Sequence, residues 1–444
     1  MDKSVVIIGA GLCGSLLGVR LAQRGYQVAI YEERPDLRKT TLVGGRSINL
    51  AFSARGIQAF EMVGLADKAK ELCIPMYGRE IHDLEGSTFF SSYSSNNDFI
   101  NSVSRADLNT LLLDELENYD NVSLHFNSKC IAVDIERNKI KLEQNKIEKE
   151  VAGDILLGTD GVRSALRKAR EAQDSDFRAH QKELTHGYKE LIIPSKNGGF
   201  QIKEGALHIW PRGNYMLIAL ANLDGSFTVT LFLEKEGVLS FESLDSEVKL
   251  EAFFKEQFPD ALELMPNLSK EFFRNPTGVL GTVKCGSWGY KKQSLLLGDA
   301  AHAIVPFYGQ GMNASFEDVF VLDKYLDEYN DNWEQVIPAF VKERKQDADA
   351  IADLALENFY EMRDHVANAD FQIKRQVEMQ LESQFDYYSK YALVTFKPEI
   401  PYHKAKLIGN KQDEVLLDLV KTNQVEELSL EAIYNKIKQA TANL

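Results

Sequence analysis

The run SVVIIGAGLCGSLLGVRLAQRGYQVAIYEE (residues 4–33) constrains this chain more than any other stretch. It opens with a short β-branched apolar strand and passes through GxGxxG, formed by Gly9, Gly11 and Gly14. Apolar residues at helical spacing follow, and VAIYEE ends the run as a second strand. A strand–glycine turn–helix–strand unit opens a parallel sheet. The glycines permit the tight turn, let backbone approach a pyrophosphate, and bring helix close to strand; the helix N-terminus offers unpaired N–H groups. Glu32, at the end of the second strand, stands where an acid accepts hydrogen bonds from ribose hydroxyls and disfavours a 2′-phosphate.

Two further segments belong with this one. GTDGVRSALR (158–167) carries Asp160 and Gly161 after the apolar run DILLG. GDAAHAIVPFYGQGMN (298–313) places Asp299 at the end of a strand, where it can accept a ribityl hydroxyl. Gly309 and Gly311 there let backbone lie against a planar ring at the start of a helix that begins with Met312 and Asn313. Between them, ALHIWP, YMLIALAN and SFTVTLFLE are strand-like and separated by PRGN and LDG turns, which predicts an antiparallel sheet. The fold class is therefore α/β. A Rossmann-type dinucleotide-binding domain spans 1–180, with 281–325 returning to it; a mostly antiparallel substrate domain is inserted at 181–280, and a helical C-terminal region covers 326–444.

The three motifs in this order resemble the single-component flavin-dependent aromatic hydroxylases, with the fold of para-hydroxybenzoate hydroxylase. The resemblance implies FAD held by the glycine turn, Asp160, Asp299 and the 311–313 segment, with Arg105 in SVSRADLN also on the cofactor. It implies NADPH as a transient co-substrate, in keeping with the single Rossmann fingerprint, and O₂ reacting through a flavin 4a-hydroperoxide. Longer segments resemble the kynurenine 3-monooxygenase family in particular: GGRSINLAFSARG (44–56), PMYGREIHDLEG (75–86), SVSRADLN (102–109), PFYGQGMNASFED (306–318), ENFYEMRDHV (357–366) and YALVTF (391–396). That resemblance implies L-kynurenine as substrate, its carboxylate held by Arg79 and Tyr93. Asn358 and Tyr391 would close the other side, and Phe307 would line the ring pocket. An arginine suits a carboxylate because its planar fork makes charge-assisted bonds. No catalytic acid or base is expected, because the aniline ring is already electron-rich and the protein's part is positioning in a dry cavity. His302 is read as structural, and Ile209, Met216 and Leu231 as pocket walls or plain core.

Composition narrows the alternatives. A net charge of −15 disfavours nucleic acid. The four cysteines show no metal-ligand or disulfide spacing, so no metal is expected and the thiols read as reduced and buried. The strand at Ser4 leaves no room for a signal peptide, no apolar run reaches membrane-spanning length, and 405–444 is polar; the expectation is a cytoplasmic protein without a membrane anchor. A phenol- or salicylate-type hydroxylase of the same fold is the nearest alternative, and a geranylgeranyl-reductase-type flavoprotein a more distant one. A flavin halogenase is disfavoured, since Trp210-Pro211 does not complete WxWxIP.

Overall fold

The computed structural model describes residues 3–39, 49–94, 97–364 and 369–444. Parts of two motif segments, 44–48 and 365–366, lie outside the described residues. The strand Ser4–Ile8 sits inside a six-stranded sheet ordered Gly289–Tyr290, Ser294–Leu296, Ile155–Gly158, Ser4–Ile8, Gln27–Tyr31, Val122–His125. All neighbours pair in parallel except the hairpin at its edge. Ile8 pairs with Gly158 and Gly158 with Leu296, so all three glycine-bearing motifs leave the sheet side by side. Their separation in sequence disappears at the carboxyl ends of adjacent strands, where open α/β sheets bind ligands.

The antiparallel sheet has seven strands, ordered Gly278–Cys285, Ala179–Ile193, Phe227–Glu234, Tyr215–Ala221, Leu207–Arg212, Gly78–His82, Thr88–Ser92. It therefore extends beyond the 181–280 boundary read from sequence. It recruits residues 78–92 from inside the first segment, joined by a parallel pairing of Leu207 with Arg79, and it continues to Cys285. No local pattern signals that pairing, because the hydrogen bonds that make it lie more than a hundred residues away along the chain.

Strand alternation gives this sheet two faces. Leu191, Leu217, Ala219, Val229, Leu231 and Trp210 point into a core with Phe253, Phe254 and Phe258 of the helical segment behind it. Met216, Ile218, Phe232 and Tyr188 point the other way, against Phe307, Phe359 and Tyr391. Leu231 is thus core rather than pocket wall. Burying each such apolar side chain contributes ~1.5–3 kcal/mol. The helices Trp333–Asp364, Lys390–Phe396 and Tyr402–Lys421 cover the second face. Among the described residues no helix is long and apolar enough to cross a membrane.

Candidate active site

The glycine turn is shaped from within. Gly9 has φ +100°, and a Cβ there would lie 2.7 Å from the Thr159 carbonyl oxygen; one at Gly14 would lie 2.0 Å from the Gly9 carbonyl oxygen. The Thr159 hydroxyl donates to the Ile8 and Gly9 carbonyls (2.9 and 3.0 Å), tying the second motif to the first. A Cβ at Gly11, in contrast, meets no atom within 4 Å. The helix Leu12–Gln23 starts there without a side-chain cap, so its first N–H groups face that open space.

Glu32 is buried and already engaged. One oxygen accepts the Ala10 N–H (2.9 Å), and the other accepts Nε and the backbone N–H of Arg34 (2.7 and 3.0 Å). Burial works to raise this carboxyl, but the bonds from Arg34 and Ala10 outweigh it and hold the group below its ordinary range. Any ribose bond must use its remaining lone pairs. Asp160 takes the Ala165 N–H on one oxygen (2.6 Å), while its Oδ1 is buried without a partner among the described residues. Burial pushes Asp160 up despite its bonds from Ser164 and Ala165. Asp299 is also pushed up by burial, opposed by the charges of Arg105 and His302. Arg105, exposed at the start of the helix Arg105–Leu116, also acts on Tyr188 and Glu190 across the same space.

The third motif is braced from behind. Asp318 accepts the Gly298 N–H (2.9 Å) and His302 Nε2 (2.5 Å) on one oxygen and Arg344 on the other (3.0 Å). His302 also stacks on Trp288, so its ring is fixed between that indole and Asp318. Gly309 sits at φ +69°, and the helix Gly311–Glu328 starts without a side-chain cap. Asn313 does not aim its side chain at a ligand: Nδ2 donates to the Ala51 and Gly309 carbonyls, and Oδ1 accepts the Ser53 N–H. What the 311–313 segment offers is backbone. An open glycine cradle, an orphaned buried carboxylate oxygen at Asp160 and two uncapped helix starts fit the pyrophosphate, ribose and ring of FAD.

The residues expected at the substrate come from strands, helices and loops far apart in sequence. The Arg79 guanidinium stands 4.7 Å from the Tyr391 ring centroid and 5.7 Å from that of Tyr93. Tyr93 and Tyr391 stack at 5.3 Å, and Tyr391 stacks in turn on Tyr308 at 5.5 Å. Burial opposes the charge on Arg79, and the tyrosine hydroxyls and Glu361 more than restore it. Burial also pushes the Tyr93 phenol well up. These hydroxyls lie close to the cation and act on it, yet among the described residues Arg79 Nε and the Tyr93 hydroxyl are both buried with no hydrogen-bond partner in good geometry. An unmet buried donor costs about 1–3 kcal/mol. Beside them Phe307 stacks on Phe359 (4.3 Å) and meets Phe232 (5.1 Å), and Asn358 fixes it by donating to its carbonyl (2.8 Å). Tyr308, Phe359 and Glu190 escaped the sequence reading: the first two adjoin motif residues, and Glu190 sits in a strand whose burial is too mixed to reveal its face.

A family described as "FAD binding domain" matches residues 2–192 and 289–355. The solved tetrameric form of 2-methyl-3-hydroxypyridine-5-carboxylic acid oxygenase superposes with a TM-score of 0.67 at 18% identity, over 86% of this chain and 97% of its own. PqsL of P. aeruginosa, solved in complex with 2-aminobenzoylacetate, gives 0.66 at 17% identity, over 82% and 97%. Fold and site define an FAD-dependent monooxygenase. Kynurenine 3-monooxygenase of Legionella pneumophila (strain Corby) is 43% identical, covering 98% of both chains; that of Myxococcus xanthus is 46% identical over 94% of this chain and 90% of its own. Kynurenine 3-monooxygenase of Dictyostelium discoideum is 42% identical over 97% and 96%. The chain belongs to the kynurenine 3-monooxygenase family.

Proposed function

We propose that this enzyme converts L-kynurenine, NADPH, O₂ and a proton to 3-hydroxykynurenine, NADP⁺ and water, with FAD bound in the cradle. The observation that carries the substrate is the pair of orphaned buried donors, Arg79 Nε and the Tyr93 hydroxyl, which a carboxylate would satisfy together. FAD supplies the oxygen chemistry when bound. The residues assigned to hold it are Gly9, Gly11, Gly14, Glu32, Arg105, Asp160, Asp299 and the backbone of Gly311, Met312 and Asn313.

The protein's own work is positioning. Arg79 and Tyr93 anchor the amino-acid end, with Tyr391 stacked behind them. Phe307, held by Asn358 and backed by Phe359, presents an apolar wall to the aniline ring. Fixing both ends aims the carbon ortho to the amino group and keeps water away from it. That ring is activated by its own nitrogen, so no side-chain base is assigned. Four free cysteines support the reading of a cytoplasmic enzyme. The test is NADPH consumption by the yellow protein with and without L-kynurenine, with the product identified by mass. Kynurenine-stimulated consumption with 3-hydroxykynurenine formed supports the assignment; stimulation by salicylate and not by kynurenine would replace it with a phenol-type hydroxylase.

A further inference from the structure

Alternation along the strand Gly78–His82 puts Arg79 and Ile81 on the pocket face of the sheet, and Glu80 and His82 on its back. On that back face lies an unbroken chain of hydrogen bonds. Asp260 Oδ2 meets His82 Nδ1 at 2.7 Å, His82 Nε2 meets His208 Nδ1 at 2.8 Å, and His208 Nε2 meets the Lys203 carbonyl oxygen at 2.8 Å. Trp210 stacks on His82 at 3.9 Å and donates Nε1–H to Asp260 at 2.9 Å. Both imidazoles are buried.

Counting protons along the chain gives a definite answer. The Lys203 carbonyl only accepts, so His208 Nε2 must carry a proton. The contact between the two rings needs one proton. The contact with Asp260 needs one more. Three protons are required, and two neutral imidazoles bring two. Trp210 already donates to Asp260, and together with His82 it holds this carboxyl below its ordinary range against the pull of burial. Burial also pushes His208 down to about 4, against its bond to Lys203. The extra proton therefore resides on His82, facing the carboxylate. The surrounding charges are the Glu80–Lys203 pair at 3.4 Å, Asp83 and Glu85, and Arg212, which donates to the His82 and Asp83 carbonyls (3.1 and 2.9 Å).

We infer that Asp260, His82 and His208 form a buried imidazolium–carboxylate lock that positions Arg79 for the substrate carboxylate. The lock grips the strand three residues from Arg79 and ties it to both the neighbouring strand and the helical segment that carries Asp260. These are positioning residues: they touch neither substrate nor FAD. The inference rests on the reading of Arg79 given above.

Two measurements on the FAD-loaded protein test it. With ¹⁵N-labelled histidine, NMR should find three protonated ring nitrogens in this pair, two on His82 and Nε2 alone on His208; a pair of singly protonated rings would overturn the lock. Asp260→Asn should weaken kynurenine binding by about 2- to 30-fold, the range over which packed networks modulate a distant site. FAD content should hold, kcat should change less than KM, and Asp260→Glu should recover part of the loss. In an Arg79→Ala background, Asp260→Asn should add nothing, because its effect passes through Arg79. Additive losses would overturn the positioning role. If Arg79→Ala alone bound kynurenine like wild type, the reading of Arg79 would fall, while the NMR result would still decide the lock.

Discussion

Arg79→Ala removes one of the two orphaned donors in the substrate pocket. In the free protein Arg79 Nε has no hydrogen-bond partner, and its guanidinium rests on the ring of Tyr391. The substitution breaks no ion pair among the described residues, and its stability cost is lost packing on that ring together with the attraction of Glu361. Bound kynurenine is another matter. A hydrogen bond to a charged group contributes about 1.5–3 kcal/mol. At about 1.4 kcal/mol per tenfold, kynurenine affinity should fall by roughly 10- to 150-fold. The carboxylate is remote from the reacting ring, so most of the loss should appear in KM, with a smaller loss in kcat from a poorly aimed ring. Binding is read by titrating the flavin spectrum, turnover by product formation, and FAD content should stay at wild type. A kynurenine analogue without the carboxylate should bind wild type and variant equally poorly. Wild-type affinity in Arg79→Ala would refute the clamp.

Other substitutions separate cradle, clamp and fold. Tyr93→Phe deletes a buried hydroxyl that has no partner, so thermal stability without substrate should hold or rise while kynurenine KM increases; a clear fall in Tm would show that the hydroxyl is bonded in the free protein. Gly11→Ala adds a Cβ into open space and Gly14→Ala drives one to 2.0 Å from a carbonyl oxygen. The first should fold normally yet lose FAD, and the second should lose stability itself; thermal melts beside flavin fluorescence distinguish them, and full FAD retention by Gly11→Ala would displace the cradle. Glu190 is raised from 4.5 to about 7, by burial and against the charge of Arg105. A carboxyl raised by folding binds more protons in the native state, so it costs wild type stability progressively as pH rises through that window. Glu190→Gln should therefore gain stability relative to wild type between pH 5 and pH 7.5; urea unfolding at the two values with no relative change would remove Glu190 from the buried face.

The cofactor half was legible because its chemistry is local. GxGxxG, Asp160 and Asp299 each follow an apolar strand, and parallel pairing of those strands brings the motifs together. The residues proposed for the substrate, Arg79, Tyr93, Asn358, Tyr391 and Phe307, came from family resemblance; the fold sets the first, second and fourth around one stack of tyrosines and the other two at the neighbouring Phe307–Phe359 stack. What stayed hidden depends on distant partners. Residues 78–92 carry no signal that they join a sheet formed mainly by residues 179–285. Leu231 lies in a strand buried on both sides, so periodicity could not tell pocket from core. Asn313 and Glu32 look like ligand residues by position, yet the distant 51–53 segment claims the Asn313 amide, and Ala10 with the neighbouring Arg34 claims most of the Glu32 carboxylate.

The central claim is that one atom of O₂ enters the ring of L-kynurenine at this site. Turnover under ¹⁸O₂ with NADPH, followed by mass analysis of the product, measures that directly. The account predicts 3-hydroxykynurenine carrying a single ¹⁸O, formed in step with NADPH consumed. Unlabelled product, or NADPH oxidation that kynurenine does not stimulate and that yields only peroxide, would contradict it.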